Sequence, residues 1–318
     1  MTGHAFMDAS AIDQLQVIVD DQSRLGIAAI LFVMMFSVAL TLRLEDFALI
    51  RRQPGRVLGG VAVQLVGLPL LTLGLILLLS PPASIALGML IVASCPGGNV
   101  SNLLTRAAAG NTAYSVTLTA ISSVSSAIMT PLSILFWSGL YAPAGALVRS
   151  LDVDPLPFFA QTAVLLAVPL ILGMALNQWR PALAGRLAAV LGPLALACIA
   201  LLVVVGIVQN WALILATGAI IIPIVVLHNG SAFALGWLGG RAMGMEAARR
   251  RALTFEVGIQ NSGLGLVILL SQFEGVGGAA AIIGTWSIWH LVGGSLVAGL
   301  FRWMDSRTLL AHARERDS

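Results

Sequence analysis

Lysine is absent from this 318-residue chain, and charge of either sign is scarce: 10% of residues are charged, against 58% hydrophobic. Ordinary soluble domains carry about 25% charged residues. The composition therefore excludes a soluble domain and predicts a membrane protein that crosses the bilayer many times. Cysteine is nearly missing as well. Cys95 and Cys198 both fall in apolar stretches read as helix, and neither has CxxC spacing. They exclude a disulfide framework and read as small buried hydrophobes. There is no HExxH element, no GxSxG element and no convincing pair of carboxylates. An intramembrane enzyme is therefore not expected.

What fills the chain is apolar sequence. A hydrocarbon core about 30 Å thick takes roughly 20 helical residues per crossing. Runs of that order lie at 25–42, 57–79, 85–105, 112–139, 158–177, 187–207, 211–237, 252–272 and 278–301. They predict an all-α polytopic membrane protein of nine spans in one compact bundle with short loops. Residues 1–24 hold Asp8, Asp13, Asp20 and Asp21, with Ile12, Leu15, Ile18 and Val19 at helical spacing. They predict a short amphipathic, extracytoplasmic segment at the interface instead of a tenth span. With no basic leader and no small-residue cleavage site, no signal peptide is expected.

All 17 basic residues are arginine, and 15 of them fall on one side of this scheme: in the loops after the first, third, fifth and seventh spans and in the tail. The other side has Arg24 and Arg149. The positive-inside rule then puts the N-terminus outside, the C-terminus in the cytoplasm and the chain in the plasma (inner) membrane. The net charge of +3 is a topology signal, and no nucleic-acid partner is implied.

Thirteen of the 14 acidic residues lie in the N-terminal segment, in loops, near span ends or in the tail. The remaining one is Glu256, in "LTFEVGIQNSGLGLVIL". A carboxylate at membrane depth is costly and marks a functional site. It is followed by Gly258, Gln260, Asn261 and Gly263, a polar, glycine-bearing interruption. The third run holds another, "CPGGNVSN", with Asn99, Ser101 and Asn102. A helix broken inside a bilayer is tolerated where the break is buried in protein or lines a cavity. Its free N-terminus attracts anions and its free carbonyls coordinate cations, so two such breaks point to a transporter with inverted repeats.

In the fourth run Asn111, Ser115, Thr119, Ser122, Ser126 and Thr130 recur on one helical face. Such a stripe serves helix packing in membranes or, beside Glu256, supplies oxygen ligands for a hard cation. Gln64 is the strongly polar side chain of the second run. His228 and His290, the membrane histidines, read as hydrogen-bonded packing groups and not as metal ligands.

"CPGGNVSNLLTRAAAGNTAYSVTLTAISSVSSAIMTPL" and "FEVGIQNSGLGLVILL", with "MMFSVALTL" early and "SIWHLVGGSLVAGLF" late, resemble the bile acid:sodium symporter family, collinearly from about residue 30 to 303. The resemblance implies an inverted-repeat fold whose broken helices cross in a core domain beside a panel domain. Here the core would be about 57–139 and 211–301, the panel about 25–42 and 158–207, and 304–318 a cytoplasmic tail. It implies a nine-helix layout lacking the first panel helix. It implies two sodium ions as coupling ions and no other cofactor or transition metal. One sodium would use Ser101, Asn102, Ser115, Thr119 and Glu256; the other Gln64, Glu256 and Gln260 with the carbonyls of Val257 and Ile259. A small organic anion, bile-acid-like or a small carboxylate or sulfonate, would meet Asn99, Asn261 and His290. Leu291 departs from the asparagine that often follows that histidine, which weakens any transfer of substrate identity.

The function expected is uptake of that anion coupled to sodium influx by alternating access, with the oligomeric state left open. Two other readings stand beside it. One is an arsenite-type permease of the related fold, which would use a thiolate near the first break, where Cys95 lies. The other is proton coupling through Glu256.

Overall fold

The structure, a computed structural model, describes residue 13 and residues 21–209, 211–273 and 275–316. In order the helices are α1 (Asp21–Ala39), α2 (Ala48–Arg52), α3 (Pro54–Ala62), α4 (Leu68–Leu79), α5 (Ala83–Ala93), α6 (Asn99–Ala107) and α7 (Thr112–Leu140). They continue as α8 (Ala142–Ser150), α9 (Pro155–Trp179), α10 (Pro181–Gln209), α11 (Trp211–Ala242), α12 (Ala247–Gly258), α13 (Ser262–Gln272) and α14 (Gly277–Arg316). No strand occurs among the described residues beyond one isolated β-bridge. The protein is an all-α polytopic membrane protein.

Among the described residues, six helices are long and apolar enough to cross a membrane unaided: Pro54–Leu79, Thr112–Leu140, Pro155–Trp179, Pro181–Cys198, Gly218–Ala242 and Gly277–Arg307. The stretches Leu25–Ala39 and Leu44–Arg52 pass the same test only as a pair, bent by 74°. The apolar runs at 85–105 and 252–272 are the ones that split, leaving α5 and α13 as apolar halves of 11 residues each. The predicted N-terminal amphipathic helix lies outside the described residues except for Asp13.

Helix starts follow local chemistry. Asp154 accepts a bond from the Leu156 N–H at 3.1 Å, and Pro155 takes the first helical position of α9, where its missing N–H costs nothing. Asn111, expected on the stripe of the fourth span, instead caps α7 by accepting from the Tyr114 N–H at 2.9 Å. The cap of α5 comes from far along the chain: Asp13 accepts from the N–H groups of Ala83 at 3.3 Å and Ser84 at 2.8 Å. Between α3 and α4 a π turn, Val63–Gly67, inserts an extra residue into the helix and buries Gln64. Such turns recur at functional sites.

Helices α1, α9 and α10 pack on one another, while α3 to α7 and α11 to α14 pack around the two broken spans; α7 and α13 touch both groups. The aliphatic side chains of α10, such as Val190, Leu196 and Leu201, are exposed, as a lipid-facing surface requires. Helix α14 has 40 residues. At about 1.5 Å per residue it outruns a bilayer core of about 30 Å. Its continuation past residue 301 is helical, with Arg307 stacked on Trp303 at 4.2 Å.

Candidate functional site: two broken helices crossing at Glu256

Pro96 offers no N–H, and Gly97 and Gly98 have no side chain to stabilise a helical turn. Helix α5 therefore stops at Ala93 and α6 begins at Asn99. In the other broken span α12 stops at Gly258, and Asn261 caps α13 by accepting from the Leu264 N–H at 3.2 Å. Cys95, expected in a helix, lies in the turn of the first break, because α5 ends before it.

Each interruption frees backbone groups that lipid cannot satisfy. The two breaks satisfy one another. Gly97 and Gln260 form an antiparallel bridge, Gly98 N–H donates to Ile259 O at 3.2 Å, and Asn261 N–H donates to Pro96 O at 2.8 Å. Neighbouring helices complete the set. Gly97 N–H donates to Ser122 Oγ at 3.2 Å, and Asn229 Nδ2 donates to Gly258 O at 2.7 Å.

Glu256 sits in the last turn of α12 at 0% exposure. Its Oε1 accepts from the hydroxyls of Ser101, Ser115 (2.6 Å) and Thr119 (2.8 Å). Thr119 Oγ1 also lies 3.4 Å from Asn102 Oδ1, and Thr105 donates to Ser115 Oγ at 3.2 Å. The residues expected at the first ion site, Ser101, Asn102, Ser115, Thr119 and Glu256, thus form one cluster drawn from α6, α7 and α12. Its donor set is oxygen, the preference of hard cations.

The other carboxylate oxygen has no such company. Glu256 Oε2, both polar atoms of the Gln64 amide and Gln260 Oε1 are buried without a hydrogen-bond partner among the described residues. Gly97 runs against two of these side chains: a Cβ there would lie 2.6 Å from Glu256 Oε2 and 3.0 Å from Gln64 Nε2. Buried acceptors without donors are costly. Glu256 Oε2, Gln64 Oε1 and Gln260 Oε1 are three such acceptors, an oxygen set that suits a hard cation. The carbonyls of Val257 and Ile259, expected as further ligands there, are each engaged: Val257 O by Gln260 Nε2 at 2.8 Å and Ile259 O by the Gly98 N–H. Each keeps a second lone pair.

Of the residues expected to meet a substrate, Asn99 is exposed at the first turn of α6 and Asn261 is half-buried in its capping role. His290 is buried on α14 with Nδ1 unpartnered among the described residues. No hydrogen bond joins the three among the described residues. His228 lies 2.7 Å from Thr72 Oγ1 through Nε2 and packs on Trp286 at 4.7 Å between ring centroids. The Cys95 thiol donates to Ile91 O at 3.2 Å and abuts Gly265 of α13. Among the described residues no group of three or more His, Cys, Asp or Glu could hold a metal ion.

Sequence reasoning overlooked Thr105, although it stands four residues after Ser101 on the same helical face. It also gave no role to Asn229, or to Gly97 beyond ending the helix; no periodicity marks either. A cleft of about 580 Å³ opens where the linker after α1 (Glu45, Asp46) and α2 (Arg52) meet the first turns of α7 (Thr112, Thr117).

The profile of the sodium bile acid symporter family matches residues 28–217. A Bacillus subtilis protein named as an uncharacterized sodium-dependent transporter, YocS, is 33% identical over 275 residues, covering 86% of this chain and 81% of that protein. A chloroplastic protein of Arabidopsis thaliana named as a sodium/metabolite cotransporter, BASS1, is 34% identical over 272 residues, 86% of this chain and 65% of that protein. The ileal sodium/bile acid cotransporter of Homo sapiens is 28% identical over 246 residues, 77% of this chain and 68% of that protein.

Proposed function

Because the chain belongs to the sodium bile acid symporter family, we propose that it carries a small organic anion into the cell by coupling its entry to sodium influx. Sodium-coupled transport is the common property in the names of its relatives. The observation that carries the reading to particular residues is the environment of Glu256. One buried carboxylate has hydroxyls on one oxygen and no partner among the described residues on the other, which shares the space at Gly97 with the Gln64 amide. In this reading Ser101, Asn102, Ser115, Thr119 and Glu256 hold one sodium. Gln64, Glu256 and Gln260 hold a second, with the free lone pairs of the Val257 and Ile259 carbonyls.

Two cations on a single carboxylate leave a net positive charge. The N-termini of α6 and α13, positive ends of the helix dipole, add to it beside Asn99 and Asn261. An anionic substrate offsets that charge, so binding of ions and substrate becomes mutually favourable. Its class is a bile-acid-like anion or a small carboxylate or sulfonate, with His290 as a further contact.

The packing of α1, α9 and α10 on one another supports treating them as the panel, with the remaining spans as the core. In this division the chain crosses nine times with the N-terminus outside and the C-terminus cytoplasmic. Asp13 then caps the outer end of α5. The cleft between the α1 linker and α7 lies on the cytoplasmic side, where it serves as a release path. Transport follows from motion of core against panel around the ion sites.

An arsenite-type permease finds less support, since the Cys95 thiol is engaged with Ile91 O. The test is uptake into proteoliposomes loaded with candidate anions, under an inward sodium gradient or a pH gradient alone. Sodium-driven, saturable uptake of an anion is expected. Uptake that follows the pH gradient and ignores sodium contradicts the assignment and selects proton coupling.

A further inference from the structure

Asn229 lies in the middle of α11 at 0% exposure, among apolar neighbours in "IVVLHNGSAF". Its Nδ2 donates to Gly258 O at 2.7 Å, a carbonyl outside the expected ion-ligand set. That carbonyl ends α12 two residues after Glu256 and two before Gln260, so the bond fixes the peptide between the two ligands. The amide's other atom, Oδ1, is buried and unpartnered among the described residues. It faces α14, where a Cβ on Gly293 would sit 2.9 Å from it and 3.5 Å from Trp289 Nε1.

One turn further on, Phe233 fills the same seam. A Cβ on Gly258 would strike its ring, and Gly293 and Gly294 also lie against it. Asn229 and Phe233 form a wedge that reaches the second break on one side and the helix bearing His290 on the other.

We propose that Asn229 is a positioning residue for the second break: by holding the Gly258 carbonyl it sets the geometry of Glu256 and Gln260, and by abutting Gly293 it links that geometry to α14. The inference rests on the reading of this break as a sodium site. A donor removed here leaves a buried carbonyl unsatisfied at the end of α12. The break then relaxes, and ligands held by it lose their alignment. Because α14 is packed against the same amide, a displaced Asn229 acts on sodium binding from the α14 side as well.

The test is a sodium titration of thermal stability on the purified full chain, with potassium chloride as the ionic control. It compares wild type with Glu256→Gln, Asn229→Ala, Gly293→Ala and the double variant Asn229→Ala/Gly293→Ala. Asn229→Ala is expected to raise the half-saturating sodium concentration about tenfold. Gly293→Ala keeps every polar group but pushes on Oδ1, and is expected to raise it about threefold. In the double variant the second change adds little, because both act through one amide. If Asn229→Ala does not fold, Gly293→Ala carries the same test. A lowered melting temperature without sodium, at an unchanged sodium midpoint in every Asn229 and Gly293 variant that folds, makes Asn229 a packing residue and overturns the proposal. That outcome beside a wild type that responds to sodium and a Glu256→Gln that does not overturns this inference alone. A wild type indifferent to sodium overturns the sodium reading and this inference together.

Discussion

The break between α5 and α6 and the break between α12 and α13 each end one helix, start another and lend the other a backbone hydrogen bond. Beyond that they diverge. The first contributes Pro96, Gly97 and Gly98, a stretch with no carboxylate, and its candidate ligands Ser101 and Asn102 stand a turn later on α6. The second carries Glu256 and Gln260, each with one side-chain oxygen that finds no partner among the described residues. One break is a frame of backbone and the other holds the charge. Two carboxylates in one dry crossing would repel each other strongly. In the proposed sites a single shared carboxylate would let two clusters of neutral oxygen do the rest, and the glycine frame would matter as much as the residue it surrounds.

The largest effect should come from removing the charge. Glu256→Gln keeps the shape and can still hydrogen-bond, so the protein is expected to fold. It loses a full charge in a partly dry site, a cost of about 3 kcal/mol or more, or at least a hundredfold in sodium affinity. Sodium-driven uptake in proteoliposomes should fall to background. Persistence of coupled uptake would return Glu256 to a structural role.

The frame is tested next. Gly97→Ala places a Cβ 2.6 Å from Glu256 Oε2 with no ligand altered. Overpacking of this kind costs about 1–3 kcal/mol. Sodium affinity should drop about thirtyfold, read from the sodium dependence of uptake. An effect no larger than that of alanine at Gly26, where an added Cβ meets nothing, would show that the frame is slack.

Single neutral ligands come third. Ser115→Ala and Gln64→Ala each remove one oxygen of several, about 1 kcal/mol, for roughly fivefold weaker sodium binding. Combined, they should add if they serve different ions; strong coupling between them would merge the two clusters into one site.

The smallest effect lies away from the crossing. At the start of α12 Arg251 grips Asp305 through two bonds, of 2.5 and 2.8 Å, and donates to Ala108 O at 2.8 Å. It thereby ties α12 to α14 and to the end of α6. The hydrogen bonds from Arg251 hold the Asp305 carboxyl below its usual range. The pair's contribution to stability is therefore fully present above the ordinary carboxylate value, about pH 4, and is lost as pH falls through the lowered one. Wild type should melt slightly above Asp305→Asn at neutral pH, and the gap should close only below about pH 4. A gap that does not change with pH would remove the ion pair from the explanation.

Much of this was readable in the sequence, for physical reasons. Apolar runs long enough to cross a bilayer announce themselves, and a proline with two glycines inside one of them has few uses besides a break. Glu256 stood out because a carboxylate at depth is costly, and Ser115 and Thr119 because four-residue steps keep one face. What was not readable depends on which helices meet. The π turn that turns Gln64 inward, the approach of Gly97 to Glu256, and the bond from Asn229 to Gly258 arise from contacts between segments far apart in the chain. Asn111 carried the right spacing for the stripe but was taken by the start of α7, because an asparagine before a helix satisfies a free N–H. The cap that Asp13 supplies to α5 joins residues about 70 positions apart, beyond the reach of any local pattern.

The most direct test of the crossing as an ion site is sodium-dependent stabilisation of the purified protein. Melting temperature is followed as sodium replaces potassium at constant ionic strength. A ligand that binds only the folded state raises stability with the logarithm of its concentration above Kd. Wild type should rise along that curve and Glu256→Gln should stay flat, with equal melting temperatures in potassium alone not required. A Glu256→Gln protein that gains as much from sodium as wild type would contradict the assignment of the ions to this carboxylate.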